Sequence, residues 1–384
     1  MIHQYNYPTT VLCGPGALQE LAGRLEAGKH NHLLVVTDKT LKEIGLADRL
    51  TELLIEKKMA FSLFDETHPN PTEEDVENAT AAYTTNQCDS IVALGGGSPM
   101  DVAKAVRIMA VHPRPLARYD DAKGGDRLIT NPMPPLYAVP TTAGTGSEVG
   151  RSAVIIMRST GKKSIFFHPD LMPDIAVLDP ELTVGLPPAI TAATGMDAFV
   201  HCLESYFAPG LHPMADGIAL QGMELVLDWL PIAVKQGDNL VARERMLLAA
   251  TMGATAFQKG LGMIHSLAHP LSSRFHIHHG LANALLLPAG VAFLEHAELN
   301  KRQARRIARV QSLFEQRGID KTTLSEACLQ FLVKLDIHYG LSTQGIKEED
   351  LEALSKEAFE DPCHQSNMVP VQQPDLLEVY RAAL

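Results

Sequence analysis

In the first half of the chain short β-type apolar runs alternate with amphipathic stretches, and beyond about Asp179 the β-type runs almost vanish. This alternation constrains the fold more than any other feature. Successive parallel strands need long crossovers, usually helices, so the pattern predicts a parallel sheet covered on both faces. The strands are expected at residues 9–14 (TTVLCG), 32–37 (HLLVVT), 59–65, 90–94 (SIVAL) and 136–140 (LYAVP), with helices at 71–85 and 100–109. Residues 178–188 (LDPELTVGLPP) hold three prolines and a glycine and read as a connection. Helices are then expected at 191–206, 214–229, 240–259, 303–316, 323–335 and 348–359, and the apolar run around 285–294 is interrupted by Pro288 and Gly290. The predicted architecture is an α/β nucleotide-binding domain with a parallel sheet (1–182) followed by an all-α domain (183–384).

A chain of 384 residues exceeds one ordinary core and carries no internal repeat. With 46% hydrophobic and 20% charged residues it has the balance of a soluble globular protein. A net charge of −12 argues against nucleic acid as a partner, because phosphate backbones need a basic face. An anionic cofactor remains compatible if backbone amides and a few cations line its site. The five cysteines are odd in number and widely spaced, so neither a disulfide framework nor a cysteine zinc site is expected, and a reducing compartment is. The N-terminus shows no signal-peptide pattern, and no apolar stretch reads as the roughly 20 residues of a membrane span. The expectation is a cytoplasmic protein without a membrane partner.

Two strands run into loops suited to ligands. Gly95-Gly96-Gly97-Ser98 lies between a strand and a helix. Glycine lets a phosphate approach the backbone, and a helix start offers free N–H groups. The spacing is neither G-x-G-x-x-G nor Walker A, and tight turns use glycine too. Asp101 is placed to brace the helix start, and Lys104 reads as a solvated helix residue. The second loop, Thr141-Thr142-Ala143-Gly144-Thr145-Gly146-Ser147, offers hydroxyls and amides to a ribose, a diphosphate or a carboxamide; alternatively it is a polar turn. Two such loops at strand carboxyl ends, where open α/β sheets bind ligands, favour the ligand reading for both. Asp38 ends the second strand. It either accepts the hydroxyls of an adenosine ribose, favouring NAD over NADP, or simply caps a helix.

The helical half carries a second pattern. Asp197 and His201 are four apart and share a helix face, as do His265 and His269. His278 and His279 follow shortly after. A carboxylate with several imidazoles suits a borderline divalent metal, although sixteen histidines make a chance pair expected. Spacing alone does not say which four atoms bind, nor whether iron or zinc does. Pro270 directly follows His269 and is expected to bend or end that helix.

Together these segments resemble the iron-containing (group III) alcohol dehydrogenase family. The matching stretches are GGGSPMDVAKA (95–105), PTTAGTGSEV (140–149), DPELTVGLPP (179–188), TAATGMDAFVHCLESY (191–206), GLGMIHSLAHPL (260–271) and HHGLANALLLP (278–288). The resemblance implies a nucleotide-binding α/β domain, a helical domain, and an active site in the cleft. It implies Asp197, His201, His265 and His279 as metal ligands, Fe2+ as the metal with Zn2+ as the alternative, and NAD as the cofactor. The cofactor contacts it implies are Asp38, Asn70, Gly97, Ser98, Thr141, Thr142, Lys163 and Leu182; Gly96 and Ser147 join them from the two loops. Members are commonly dimers or larger, so a homo-oligomer is expected. His269 matches a family histidine near the metal and is the candidate catalytic proton relay, since imidazole exchanges protons near neutral pH.

The activity implied is hydride transfer between NAD(H) and a small primary alcohol or aldehyde. MADGIAL and GATAFQKGLG look closest to members acting on short ω-hydroxy acids such as 4-hydroxybutyrate. Three departures bear on the substrate: Arg151 where relatives often carry Thr, His278 in place of a common Pro, and DPCHQSNMVPV (361–371) in place of an Asn-Pro-Arg ending. Arg151 is either a solvated charge or the partner of a substrate carboxylate, which guanidinium matches bidentately. The alternatives are a dehydroquinate synthase-like NAD- and metal-dependent lyase, a zinc glycerol dehydrogenase-like enzyme, and a non-catalytic binder of metal and nucleotide.

Overall fold

The alternating half does form a parallel sheet. In the computed structural model, which describes residues 7, 9–28 and 30–384, the chain divides into two units: Tyr7–Thr142 with Gly146–Thr183, and Ala143–Thr145 with Val184–Leu384. The expectation about a signal peptide falls largely on residues outside the described set.

The first unit has strands β1 (Thr10–Cys13), β2 (Leu33–Val36), β3 (Phe61–Phe64), β4 (Ser90–Gly95), β5 (Leu136–Pro140), β6 (Ser152–Ile156), β7 (Lys163–Phe167) and β8 (Ile175–Leu178). Its helices are α1 (Ala17–Gly28), α2 (Lys39–Glu43), α3 (Leu46–Glu56), α4 (Glu73–Thr85) and α5 (Gly97–Val111). Six strands pair in parallel in the order β1-β8-β5-β4-β2-β3. Alternate residues of each strand face opposite ways. Leu34, Val36, Ile91 and Ala93 pack with Val76, Met100 and Val106 of α4 and α5. Leu33, Val35, Val92 and Leu94 pack with Leu21, Leu50 and Leu54 of α1 and α3. The two faces thus account for strands that read as continuous apolar runs. Thr72 starts α4 with a capping box to Asp75.

Helices α1, α2 and α3 had no predicted range, and three strands were not foreseen. β6 and β7 form an antiparallel hairpin, and β8 inserts between β1 and β5. β8 is as short as β1, β2 and β3 but runs directly into the proline-rich connection, which masks it.

The second unit is helical: α6 (Pro188–Phe207), α7 (Pro213–Lys235), α8 (Leu240–Ala256), α9 (Met263–Phe275), α10 (His279–His296), α11 (Lys301–Glu315), α12 (Leu324–Lys334), α13 (Glu348–Glu360) and α14 (Gln373–Ala383). Pro270 does not end its helix, and Pro288 with Gly290 does not break α10. A helical proline costs about 3 kcal/mol. That cost is outweighed where the helix is nearly all buried, as α10 is from Ala282 to Val291. Gly290 admits Ile264 of α9, whose Cγ1 would lie 2.8 Å from an added Cβ. One expectation needs correction: by length and composition α7 is apolar enough to cross a membrane. Part of its apolar face, including Ala219, Met223, Val226 and Leu230, is buried in the helical core.

Candidate metal centre and nucleotide loops

In the sheet unit, β5, β4 and β2 are neighbours, and Asp38, Gly96–Ser98 and Thr141–Thr142 follow their carboxyl ends, whereas Asn70 follows β3, Lys163 opens β7 and Leu182 follows β8. The Thr141 N–H donates to the Gly95 carbonyl at 3.0 Å, joining the two loops. Gly95 has φ +149°, and an added Cβ would lie 2.7 Å from Pro99 Cγ, so only glycine fits without strain. Gly96 caps α5 without any side chain, and its Cβ position lies 3.3 Å from Thr142 Oγ1. The Ser98 hydroxyl donates to the Pro69 carbonyl at 2.6 Å, which brings the loop preceding Asn70 against the start of α5. Asp38 caps α2, one carboxylate oxygen accepting from the Leu41 N–H at 3.0 Å. Its second oxygen leaves the ribose reading compatible with the cap.

Other residues in this unit are placed differently from their sequence reading. Lys104 is not solvated: it is 0% exposed and donates to the Ser147 carbonyl, the Ser147 hydroxyl and the Ser152 carbonyl at 2.7, 2.8 and 3.0 Å. Burial lowers its pKa to about 8 against the pull of Asp101. An amphipathic pattern does not reveal such a lysine, because α5 is buried almost all round. The Ser147 hydroxyl also donates to Asp101 at 3.1 Å. Lys163, at the start of β7, is half-buried, and desolvation lowers its pKa against the pull of Asp101; Lys162 is exposed. Leu182 lies in the core beside Leu18 and Val177. Arg151 lies over the Phe167 ring at 5.2 Å and has no ion pair among the described residues.

The helical unit gathers the other set. Asp197 and His201 share one face of α6, His265 and His269 lie on α9, and His279 is the first residue of α10. Gly280 presses α10 onto α6: an added Cβ would lie 2.2 Å from the Ala193 carbonyl oxygen. Asp197 is 3% exposed and His265 1%. Asp197 Oδ1 lies 3.5 Å from His279 Nε2 and 3.9 Å from His265 Nε2. One donor atom from each of these three residues falls within 4.8 Å of the others. His201 stands outside that trio; its ring stacks on His265 at 4.6 Å and 19°. Burial alone would raise the Asp197 pKa, but His201, His279 and His265 lower it to about 2. Burial pushes His201 down to about 4 despite Asp197. Burial also opposes the charged form of His265, yet its hydrogen bond to Glu204 raises its pKa overall.

Comparison with known proteins bears on both units. The family profile "Iron-containing alcohol dehydrogenase" matches residues 8–180, and "Fe-containing alcohol dehydrogenase family, C-terminal" matches residues 191–384. The chain belongs to the iron-containing alcohol dehydrogenase family. It is 40% identical over 366 residues to a 4-hydroxybutyrate dehydrogenase of Cupriavidus necator, covering 94% of each chain. It is 33% identical to an NAD-dependent methanol dehydrogenase of Bacillus methanolicus, covering 98% of each. A solved 1,3-propanediol oxidoreductase superposes with a TM-score of 0.92 at 33% identity over 100% of both chains. The protein is therefore an alcohol oxidoreductase with the parallel α/β and helical architecture of that family.

The donor set of this dehydrogenase fits a divalent metal. One carboxylate oxygen and several imidazole nitrogens suit iron or zinc. His265 Nδ1 donates to Glu204 at 2.6 Å, and Glu204 also accepts the Ile264 N–H at 2.7 Å. That leaves His265 Nε2 facing Asp197, the carboxylate–histidine arrangement that orients metal ligands. His201 Nδ1 and Asn283 Oδ1 are buried without hydrogen-bond partners. Glu204 was not foreseen, although it lies three residues after His201 on the same helix.

His269 is tied to a different carboxylate. Its Nδ1 donates to Asp361 Oδ2 at 2.7 Å, and its ring stacks on His279 at 5.2 Å and 17°. Asp361 Oδ1 accepts from the Ser266 hydroxyl and the Cys363 N–H at 2.8 and 2.9 Å. Burial opposes ionisation of Asp361, but the bonded His269 holds its pKa far below the usual carboxylate range. Asp361 was not foreseen as a site residue; it lies 92 residues from its histidine, and no local spacing joins them.

Proposed function

We propose that the protein transfers hydride between NAD(H) and a small primary alcohol or its aldehyde, with a short ω-hydroxy acid such as 4-hydroxybutyrate as substrate. The observation that carries this is the convergence of the buried Asp197 and His265 with the part-exposed His279 within a member of this family. In this reading Asp197, His201, His265 and His279 hold iron, or zinc in its place. A metal held there supplies Lewis acidity toward an alcohol oxygen, and NAD supplies the hydride acceptor. Glu204 orients His265, and Asp361 accepts the Nδ1 proton of His269, which leaves Nε2 for proton relay.

For the nucleotide, the Gly96–Ser98 loop and the start of α5 serve the diphosphate, with Asp38 at the ribose. Thr141, Thr142, Ser147 and Lys163 complete the polar lining, and Asn70 and Leu182 flank it. Residues 1–182 would then be the nucleotide domain and 183–384 the metal domain. The name of the Cupriavidus relative supports the ω-hydroxy acid, and that of the Bacillus relative supports NAD. Arg151, without an ion pair, is the proposed partner of the substrate carboxylate. If so, Arg151→Ala lowers kcat/KM for hydroxy acids about tenfold and leaves plain alcohols unchanged, the scale of a charged hydrogen bond. Equal effects on both substrate classes sink that assignment. A cytoplasmic homo-oligomer acting on small molecules, without nucleic acid or membrane, completes the reading.

The test is metal analysis of the purified protein with an NADH-absorbance screen over alcohols, diols and hydroxy acids. NADH formation that depends on bound iron or zinc is expected; silence after reconstitution with both metals defeats the proposal. A three-ligand zinc site is the second reading, favoured by the position of His201 outside the converging trio. Retention of metal by His201→Ala would select it.

A further inference from the structure

Asn283 stands one helical turn after His279 on α10, and its side chain is fully buried. Its Nδ2 lies 2.8 Å from Asp197 Oδ1, 3.3 Å from His279 Nε2 and 3.4 Å from His265 Nε2. The amide nitrogen therefore sits among the same three atoms that converge as candidate metal ligands. A primary amide has two hydrogens, so it serves at most two of three acceptors well. The 2.8 Å contact to the carboxylate is short and the two imidazole contacts are long. Asn283 Oδ1, on the other side of the amide, is buried without a partner. Turning the amide over would aim that oxygen at Asp197, so the observed orientation is the one that places a donor there.

We infer that Asn283 is a positioning residue of the metal site: its amide fixes Asp197 and stands among the donors where a cation would otherwise be needed. The inference rests on the proposed metal site. Without metal, the Asn283 N–H gives the buried Asp197 a neutral donor beside its imidazole neighbours. With a metal bound, Asn283 would keep its short bond to Asp197 and give up its long contacts to the two imidazoles. Asn283 then acts on affinity as an outer hydrogen-bond partner does, at about 10–100-fold.

The experiment is a competitive titration of the metal-free protein with Zn2+ or Co2+ against a chelator, with folding checked by thermal melts. Asn283→Leu keeps the approximate shape and removes the donor. It is expected to weaken metal binding by about 10–100-fold. If it does not fold, Asn283→Ala carries the same test. His279→Ala is the control and should weaken binding further. Folded Asn283 variants that bind within twofold of wild type, while His279→Ala loses affinity, overturn this inference and leave the metal reading standing. Unchanged binding by His279→Ala removes the metal reading and the inference with it.

Discussion

Around Asp197 the polar groups are side chains, with Asp197, His201, His265 and Asn283 buried, whereas after β2, β4 and β5 the groups offered are backbone amides, glycines and small hydroxyls. The two regions respond differently to change. In the proposed metal pocket each charge is balanced by named neighbours, so removing one leaves the others unpaired in a largely buried environment. In the nucleotide loops the binding groups are spread over main chain, and a substitution acts through backbone strain or blocked approach.

The largest expected effect separates the two regions. Asp197→Ala should lose bound metal and on the order of 10³-fold in kcat, because the Lewis acid contributes several kcal/mol at tenfold per 1.36 kcal/mol. Its affinity for NAD, followed by nucleotide fluorescence, should stay within about twofold of wild type. A parallel loss of NAD binding would mean that the two regions are not independent.

Next comes the dyad. Asp361→Asn should lower kcat by about 10²-fold, within the usual range for a general acid–base group, with metal content unchanged. The double variant with His269→Ala should be no worse than His269→Ala alone, since Asp361 acts through that ring. Additive losses would assign Asp361 a separate structural role.

Gly95→Ala probes the backbone side of the comparison. The conformation at φ +149° and the 2.7 Å approach to Pro99 predict strain of about 1–3 kcal/mol. The expected result is a KM for NAD raised about tenfold with metal content intact. An unchanged KM would remove this loop from the nucleotide site.

The smallest effect is one of pH. The folded pKa of Asp361 lies below its unfolded value, so its contribution to stability is full above about pH 5. That contribution is lost as pH falls through the unfolded value toward the folded one. The wild type should therefore lose more stability than Asp361→Asn between about pH 5 and pH 3, measured by denaturant melts. Parallel curves would contradict the assigned ionisation.

The comparison also explains what was legible in the sequence. Asp197 with His201 and His265 with His269 announced themselves through the four-residue period of a helix, and the strands through apolar runs ending in glycine. His279 needed the family pattern, because its approach to Asp197 depends on Gly280 pressing α10 against α6. Asn283, one turn beyond His279, carried no chemical signal of its own. Asp361 reaches His269 only through tertiary folding, and Lys104 was misread because helical period does not distinguish a solvated face from a polar interior contact. The β6–β7 hairpin and β8 went unread for want of clear punctuation.

The most direct test is metal-dependent NADH formation by wild type and Asp197→Ala, each stripped and then reloaded with iron under anaerobic conditions or with zinc. The account predicts one metal bound per wild-type chain, alcohol-dependent NADH formation only after reloading, and neither in the variant. Full activity in the stripped wild type, or equal metal and activity in Asp197→Ala, would contradict it.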